Sequence, residues 1–547
     1  MLFDPQKVPF STRESFLCIS WLEDGFWLRS VRGGDEETDL GRLLRVQVLS
    51  DGQICTPEWS LAPEALTARL GEGWLSFAFD GGERIVVAGQ GLGLRLSTGA
   101  SKYNYAQEAV DHVHVSIAKQ DLRCEVWPHQ GAKRLTAPWT GLAAESISLD
   151  LLSEAGVLAA TLDIFRVTPS KRPFASFKAA SAAAAAGFAA FHAALTPCLP
   201  EHAEGHRLAA YILWSAYVPT EGMLTQPAVY MSKNWMTNIW SWDHCFVALA
   251  LPPALAWQQM QVIFAAQHPS GRLPDYINDC YALWAFTKPP VHGWTFAQLA
   301  ETDPEQVLRW LTLQAENWLN GPSLNGLPAY RHGNDAGWDN ATPFAEGAPV
   351  VTPDLTTFLI LQLEEIARLH RRIGQNDEAA QALSRADALY AALIQHLWTP
   401  EGFTARHLDG RLVASDNSLL LLLPLLLASR ITSEMRDKML TKLRNPEFLT
   451  PWGLATEATT SPLYRANGYW RGPIWAPTTL LFVDALDRCG QSALADEIAR
   501  RYLRLCQHSG MAENFDAQSG AGLHDPAFAW TSAVYIRLAA RLNALPG

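Results

Sequence analysis

TPDLTTFLILQLEEIARLHRRIGQNDEAAQALSRADALYAALIQHL, Thr352 to Leu397, decides the fold class of the longer part of this chain. Thr352 with Pro353 opens a helix, because a proline in the first turn gives up no hydrogen bond and has its φ already set. Leu355, Phe358, Leu359, Ile366 and Leu369 then fall on one face, and Gly374 closes the helix. Asn376 caps a second helix, carrying Leu383, Ala386, Leu389, Tyr390, Leu393 and Leu397. Two helices on so short a link form a hairpin. The device recurs where Gly490 ends one helix and Ser492 starts another.

The same helical period governs residues 205–547, with no βαβ unit and no fixed repeat of the solenoid kind. Loops between the helices are long and rich in Trp, Asp, Gly and Pro, as expected when they line one shared pocket. A closed toroid of helical hairpins is therefore predicted. Within it, Leu419 to Ala428 is too short for the roughly 20 apolar residues of a membrane span and is broken by Pro424, so it reads as a buried helix.

Residues 1–177 are built differently, as short alternating segments between Gly and Asp turns, such as Arg84–Val87, Leu92–Leu96 and Val113–Ile117. That pattern predicts an antiparallel β-sandwich. AGQGLGLRL, Ala88 to Leu96, has the glycines of a nucleotide loop, but no helix follows them, so it reads as strand and turn. His112 and His114 share one strand face and read as exposed histidines rather than metal ligands. Residues 178–204, which include KAASAAAAAGFAAFHAAL, have strong helix propensity and no turn signal, and are predicted to be a helical linker.

Composition narrows the partners. A net charge of -12 disfavours nucleic acid and anionic membranes, and a small neutral substrate fits better. The 21 Trp residues offer flat apolar faces of the kind sugar rings stack on, although large cores also bury tryptophan. The cysteines (Cys18, Cys55, Cys124, Cys198, Cys245, Cys280, Cys489, Cys506) have no CxxC spacing and no histidine cluster beside them, which argues against structural zinc and redox chemistry. The start, MLFDPQKVPFSTRESF, lacks a basic and then apolar run, so the cytoplasm is the expected compartment. Oligomeric state is open.

Four loop segments carry the chemistry. In NWMTNIWSWDHCF, Asn234 to Phe246, Trp240, Trp242 and Asp243 combine two apolar walls with one acceptor, suited to a pyranose face and its hydroxyls; a core aromatic stripe would account for them equally. RHGNDAGWDNAT, Arg331 to Thr342, sets Asp335 and Asp339 among glycines beside Trp338. Aromatic bulk and restricted water there would raise the pKa of Asp339, as a proton donor at neutral pH requires. NGYWRGPIWAP, Asn467 to Pro477, places Arg471 among Tyr469, Trp470 and Trp475, to orient a carboxylate or to donate to sugar oxygens. MAENFDAQSGAGLHDPAFAWTSA, Met511 to Ala533, sets Glu513 before a glycine-rich loop.

In this order the WSWD, GWDN, YWRGPIW and AENFDAQSG segments, supported by GRLPDY and KPPVHGW, resemble glycoside hydrolase family 63 and, more distantly, the trehalases of family 37. The resemblance covers about residues 205–547. It implies an (α/α)6 barrel, and the β-rich half resembles the supersandwich that precedes this barrel in related families. It also implies that Asp339 is the general acid and Glu513 the general base of an inverting α-glycosidase, most simply an exo-acting α-glucosidase needing no cofactor. Sugar-binding positions fall on Trp240, Asp243, Tyr469, Trp470, Arg471 and Trp475. Lys288, Asp335, Trp242 and Trp338 are also expected to bind substrate, and two departures leave its identity open. Lys288, which would change the hydroxyls or acceptor groups that are read, stands before Pro289 and Pro290 where relatives often have Gln, and Asp335 stands where trehalases have Glu.

Inversion requires room for a water between the carboxyls, about 6.5–9.5 Å. A phosphorylase of related architecture would need no general base, so Glu513 counts against it. A carbohydrate-binding protein without chemistry would have no use for both acids.

Overall fold

Alternation becomes sheet in the first part of the chain. The computed structural model describes residues 2–34, 40–300 and 303–545, and contacts divide the chain into two units. The first holds residues 1–194, 210–220 and 232–237; the second holds residues 195–209, 221–231 and 238–547.

Among the described residues the first unit has two antiparallel sheets. One runs, edge to edge, Leu17–Leu22, Gly25–Ser30, Arg42–Ser50, Gly93–Thr98, Ile147–Leu152 and Ala132–Thr136, with Gln53–Cys55 also paired to Arg42–Ser50. The other runs Tyr105–Glu108, Val113–Ile117, Leu122–Gln130, Val157–Phe165, Arg84–Gln90, Gly73–Phe79, Ala65–Leu70 and Glu58–Ala62. In Val113–Ile117 the valines and isoleucine are buried while His114 and Ser116 are half-buried, the two-residue period of a strand with one face on the core. The run from Ala88 to Leu96 is the end of one strand, a turn, and the start of the next.

The alanine-rich segment predicted as a linker forms a helix, Phe177–Ala194, that lies on the second sheet. Ala180 packs against Ala78 and Val86, because small side chains let a helix approach a sheet closely. It therefore belongs with the first unit.

In the second unit six helical segments touch in sequence and close a ring: Asp243–Ala248, His292–Phe296, Pro353–Arg372, Leu419–Leu427, Ala476–Arg488 and Ala529–Asn543, the last returning to the first. Pro253–Ala265, Pro304–Leu319, Asn376–Leu397, Ser433–Arg444 and Ser492–Ser509 each pack on the ring segment that precedes them. The hairpin from Thr352 to Leu397 forms as predicted, except that Asn376 does not cap the second helix: it is the first helical residue, Gln375 holds the cap position, and no side chain caps the turn. Pro353 stands at the first position, and His370, Arg371 and Arg372 meet the negative end of the helix dipole. Leu419–Leu427 is wholly buried, but it winds as a 3₁₀ helix rather than an α-helix, since Pro424 has no N–H to give to the α-helical ladder.

Candidate active site

The loops entering the ring segments carry the singled-out residues. Ile239–Trp240 pairs with Tyr276–Ile277, which sets Trp240 against Tyr276 with ring centroids 5.2 Å apart and brings Asp275 beside the loop of Trp242 and Asp243. Asp243 starts its helix and is 4% exposed, and one of its carboxylate oxygens has no protein partner. Burial raises its pKa well above the usual carboxylate range, against the opposing pull of Lys288.

The loop of Asp339 is fastened on three sides. Gly333 lies so close that a Cβ there would sit 2.0 Å from the Asp339 carbonyl oxygen. Asp335 accepts the backbone N–H of Thr287 at 3.0 Å and of Arg331 at 3.2 Å, which ties the loop to the segment carrying Lys288. Asn340 accepts the Trp470 N–H at 2.9 Å through its side chain and the Arg471 Nε–H at 2.7 Å through its carbonyl, and donates to the Gly468 carbonyl at 3.1 Å. Asp339 itself keeps 35% of its side chain open. Its pKa is raised by burial, and Lys288, 3.9 Å away, opposes the rise.

Glu513 is 3% exposed. Its backbone N–H donates to the Asp525 carbonyl at 2.7 Å, and Trp530 donates its indole N–H to the Glu513 carbonyl at 3.3 Å. The adjoining strand Asn514–Phe515 pairs with Ile474–Trp475, opposing Asn514 to Trp475. Burial and the Asp525 carboxylate push the Glu513 carboxyl up to about 8, while a hydrogen bond from the Tyr469 hydroxyl favours its ionised form. Tyr469 stands at φ +59°, a left-handed backbone uncommon for a bulky residue, and its phenol is influenced by Glu513, Asp339 and Asp243 together. These residues therefore share one site.

The tryptophans form its packing. Trp470 and Trp475 stack with centroids 4.1 Å apart at 3°, and Trp338, Trp242 and Trp530 lie against them at 5.1 to 6.2 Å. Trp242, Trp338, Trp470 and Trp475 are at most 2% exposed, so neighbouring indoles cover the faces that the sequence offered to a sugar. Trp240, at 9%, is the more open. Asp335 gives both carboxylate oxygens to backbone N–H groups. Lys288 is 5% exposed, ion-paired to Asp275 at 3.0 Å and hydrogen-bonded to the carbonyl of Asn334 at 3.0 Å and to its side-chain oxygen. Asp275, Asn340 and Asp525 were present in the quoted segments, but spacing alone assigned them no place in the site.

Two acids on separate loops, one partly open and one buried under a phenol, can give a proton to one atom and take one from another. Residues 236–531 match the family model described as mannosylglycerate hydrolase MGH1-like glycoside hydrolase domain. The chain belongs to this glycoside hydrolase family. A mannosylglycerate hydrolase from Rubrobacter radiotolerans is 28% identical over 202 residues, covering 35% of this chain and 44% of the relative. A periplasmic trehalase from Xanthomonas axonopodis pv. citri (strain 306) is 28% identical over 274 residues, covering 45% of this chain and 46% of the relative. The chain thus spans about half the length of these curated relatives. Among solved structures, the GH63 mannosylglycerate hydrolase from Thermus thermophilus in complex with glucose matches with a TM-score of 0.51 at 19% identity, over 61% of this chain and 99% of that one. A bacterial glucoamylase complexed with acarbose matches with a TM-score of 0.63 at 10% identity, over 98% of this chain and 94% of that one. These two likenesses are of fold.

Proposed function

We propose that this family member is an inverting α-glycosidase, with an (α/α)6-barrel catalytic unit, that removes one sugar from a small α-linked glycoside. The observations that carry the proposal are a partly open Asp339 beside Lys288 and a buried Glu513 that accepts from the Tyr469 hydroxyl, with Asp339 acting on both Glu513 and Tyr469. Asp339 protonates the leaving oxygen, and Glu513 takes a proton from the water that attacks the anomeric carbon from the opposite face. Asp243, with an unpartnered oxygen, accepts sugar hydroxyls beside Trp240.

Asp339 is one of the groups that raise Glu513, after burial and Asp525, so the titrations of this pair are linked. Turnover needs that pair to hold one proton, on Asp339. Burial and the Asp525 carboxylate keep the Glu513 proton bound to about pH 8, so the pair holds at least one proton at neutral pH. The Tyr469 hydroxyl, donating to Glu513, favours the ionised form that a base needs, against burial and Asp525.

The named relatives indicate mannosylglycerate and trehalose as the first substrates to try, and a glucosyl glycerate extends the panel. The test is hydrolysis of this panel, with proton NMR of fresh product. The β-anomer should appear first, and D339N and E513Q should each lose activity by at least about 100-fold while remaining folded. Near-normal turnover by either variant removes the assignment, and the α-anomer appearing first removes inversion.

A further inference from the structure

Lys288 is enclosed within the carboxylate cluster. Its side chain is 5% exposed, whereas that of Asp339 is 35% exposed, so a ligand entering the site meets the carboxyl and not the ammonium. The ammonium is hydrogen-bonded to the Asn334 carbonyl at 3.0 Å and to the Asn334 side-chain oxygen, and it is ion-paired to Asp275 at 3.0 Å. The cage is closed, since Asn334 Nδ2 donates to the second oxygen of Asp275 at 3.1 Å. Asp335 fixes it from below by taking the N–H of Thr287. Asn334 belongs to the short helical turn from Gly333 to Ala336 that leads into Asp339.

We propose that Lys288 makes no contact with the sugar and is a positioning residue that acts through Asp339, anchoring the loop of the acid and setting its charge from behind. The inference rests on the assignment of Asp339 as the acid. Burial alone would push the ammonium towards neutrality, but Asp339, Asp275 and Asp243 more than offset this and keep Lys288 charged. Asp339 faces Lys288 and His332, which favour its carboxylate, and Asp275, which favours its acid form; Asp339 in turn raises Asp243, Glu513 and the Tyr469 phenol. Lys288 is the largest of the influences opposing the burial of Asp339, and Asp275 the next, with opposite sign.

The two members of the ion pair must therefore move Asp339 in opposite directions. Asp339 is titrated directly in the whole protein carrying ¹³C-carboxyl aspartate, with its signal identified by its loss in D339N. In K288Q the Asp339 midpoint should rise by about one pH unit or more, the effect of removing an opposite charge at this range. In D275N it should fall, and K288R should stay close to the wild-type value. D275N carries the test if K288Q does not fold.

Kinetics on a hydrolysed glycoside separate this role from substrate binding. K288Q should move the pH dependence of kcat/KM upward with KM changed less than about threefold. An unmoved Asp339 midpoint in both variants, or a tenfold rise in KM with an unshifted profile, overturns the proposal. Asp339 titrating as described in a protein whose D339N variant is fully active would leave the electrostatic link standing and remove the assignment of the acid instead.

Discussion

Gly337→Ala is the substitution that probes the joint between two of the motifs. Gly337 has φ +69°, and a Cβ there would lie 2.4 Å from Cζ2 of Trp242 and 2.6 Å from Cε2. Trp242 cannot retreat: it is 1% exposed and packed between Trp470 and Trp530, with centroids at 6.2 and 6.0 Å. The left-handed backbone costs alanine about 1–2 kcal/mol, and overpacking a filled core costs about 1–3 kcal/mol more. The total is about 2–5 kcal/mol. Gly374→Ala is the control, because Gly374 has φ +81° but nothing lies within 4 Å of its missing Cβ, so only the backbone part remains. Chemical denaturation of both variants gives the steric part by difference. Gly337 is two residues before Asp339, so the shift that relieves the clash should also lower kcat at least about tenfold in G337A and leave G374A unaffected. Equal destabilisation of the two variants, with G337A fully active, would refute the packing argument.

Above pH 8 the pair should lose its last proton, so kcat/KM should fall on the alkaline side with a midpoint near 8, and at low pH it should fall again as the pair takes a second proton; a profile flat from pH 7 to 10 would exclude this. Asn340→Ala leaves the Trp470 N–H without its acceptor, which should cost about 1–3 kcal/mol in denaturation and lower kcat more than it raises KM. Lys233 in the first unit is 3% exposed and donates to Ser11 Oγ at 2.9 Å and the Ser15 carbonyl at 2.6 Å, and burial lowers its pKa to about 7. An unfolded chain binds this proton up to about pH 10.5, so stability should rise between pH 7 and 10 by at most about 5 kcal/mol, and K233M should flatten that rise in pH-dependent melting.

The hairpin from Thr352 to Leu397 was legible because proline, glycine and a single apolar face all point to the same local structure. Leu419–Leu427 was less so: leucine content shows burial, but the effect of one proline on helix type depends on what its neighbours pack against. The alanine-rich helix gave its conformation and not its place, since Ala180 meets a sheet that only the folded chain supplies. At the site, residue type showed where acids and aromatics gather. It did not distinguish a tryptophan that faces a ligand from one whose faces are covered, as with Trp242, nor an exposed ammonium from a buried, ion-paired one, as with Lys288. Those distinctions depend on residues far apart in sequence, such as Trp242 with Trp470 and Lys288 with Asn334.

The order of the motifs has a structural cause. Trp240 and Trp242 precede Asp243–Ala248, Lys288 precedes His292–Phe296, Asp339 lies in the loop before Pro353–Arg372, Tyr469 and Trp475 precede Ala476–Arg488, and Glu513 precedes Ala529–Asn543. Each loop enters a ring segment at its N-terminal end. In a ring of helical hairpins the inner segments alternate in sequence with outer partners that run back, so the inner N-termini collect at one mouth. Residues from five distant loops can then share one site, as the mutual influence of Asp243, Asp339, Tyr469 and Glu513 requires. The remaining ring segment, Leu419–Leu427, enters through a loop that supplies Ser415, which hydrogen-bonds to Thr342 Oγ1 at 2.7 Å; Thr342 in turn donates to Glu457 at 2.7 Å. Thr342 is three residues past Asp339. The sixth loop thus meets the segment of the proposed acid through the side chain of Thr342 and holds it from outside the carboxylate cluster.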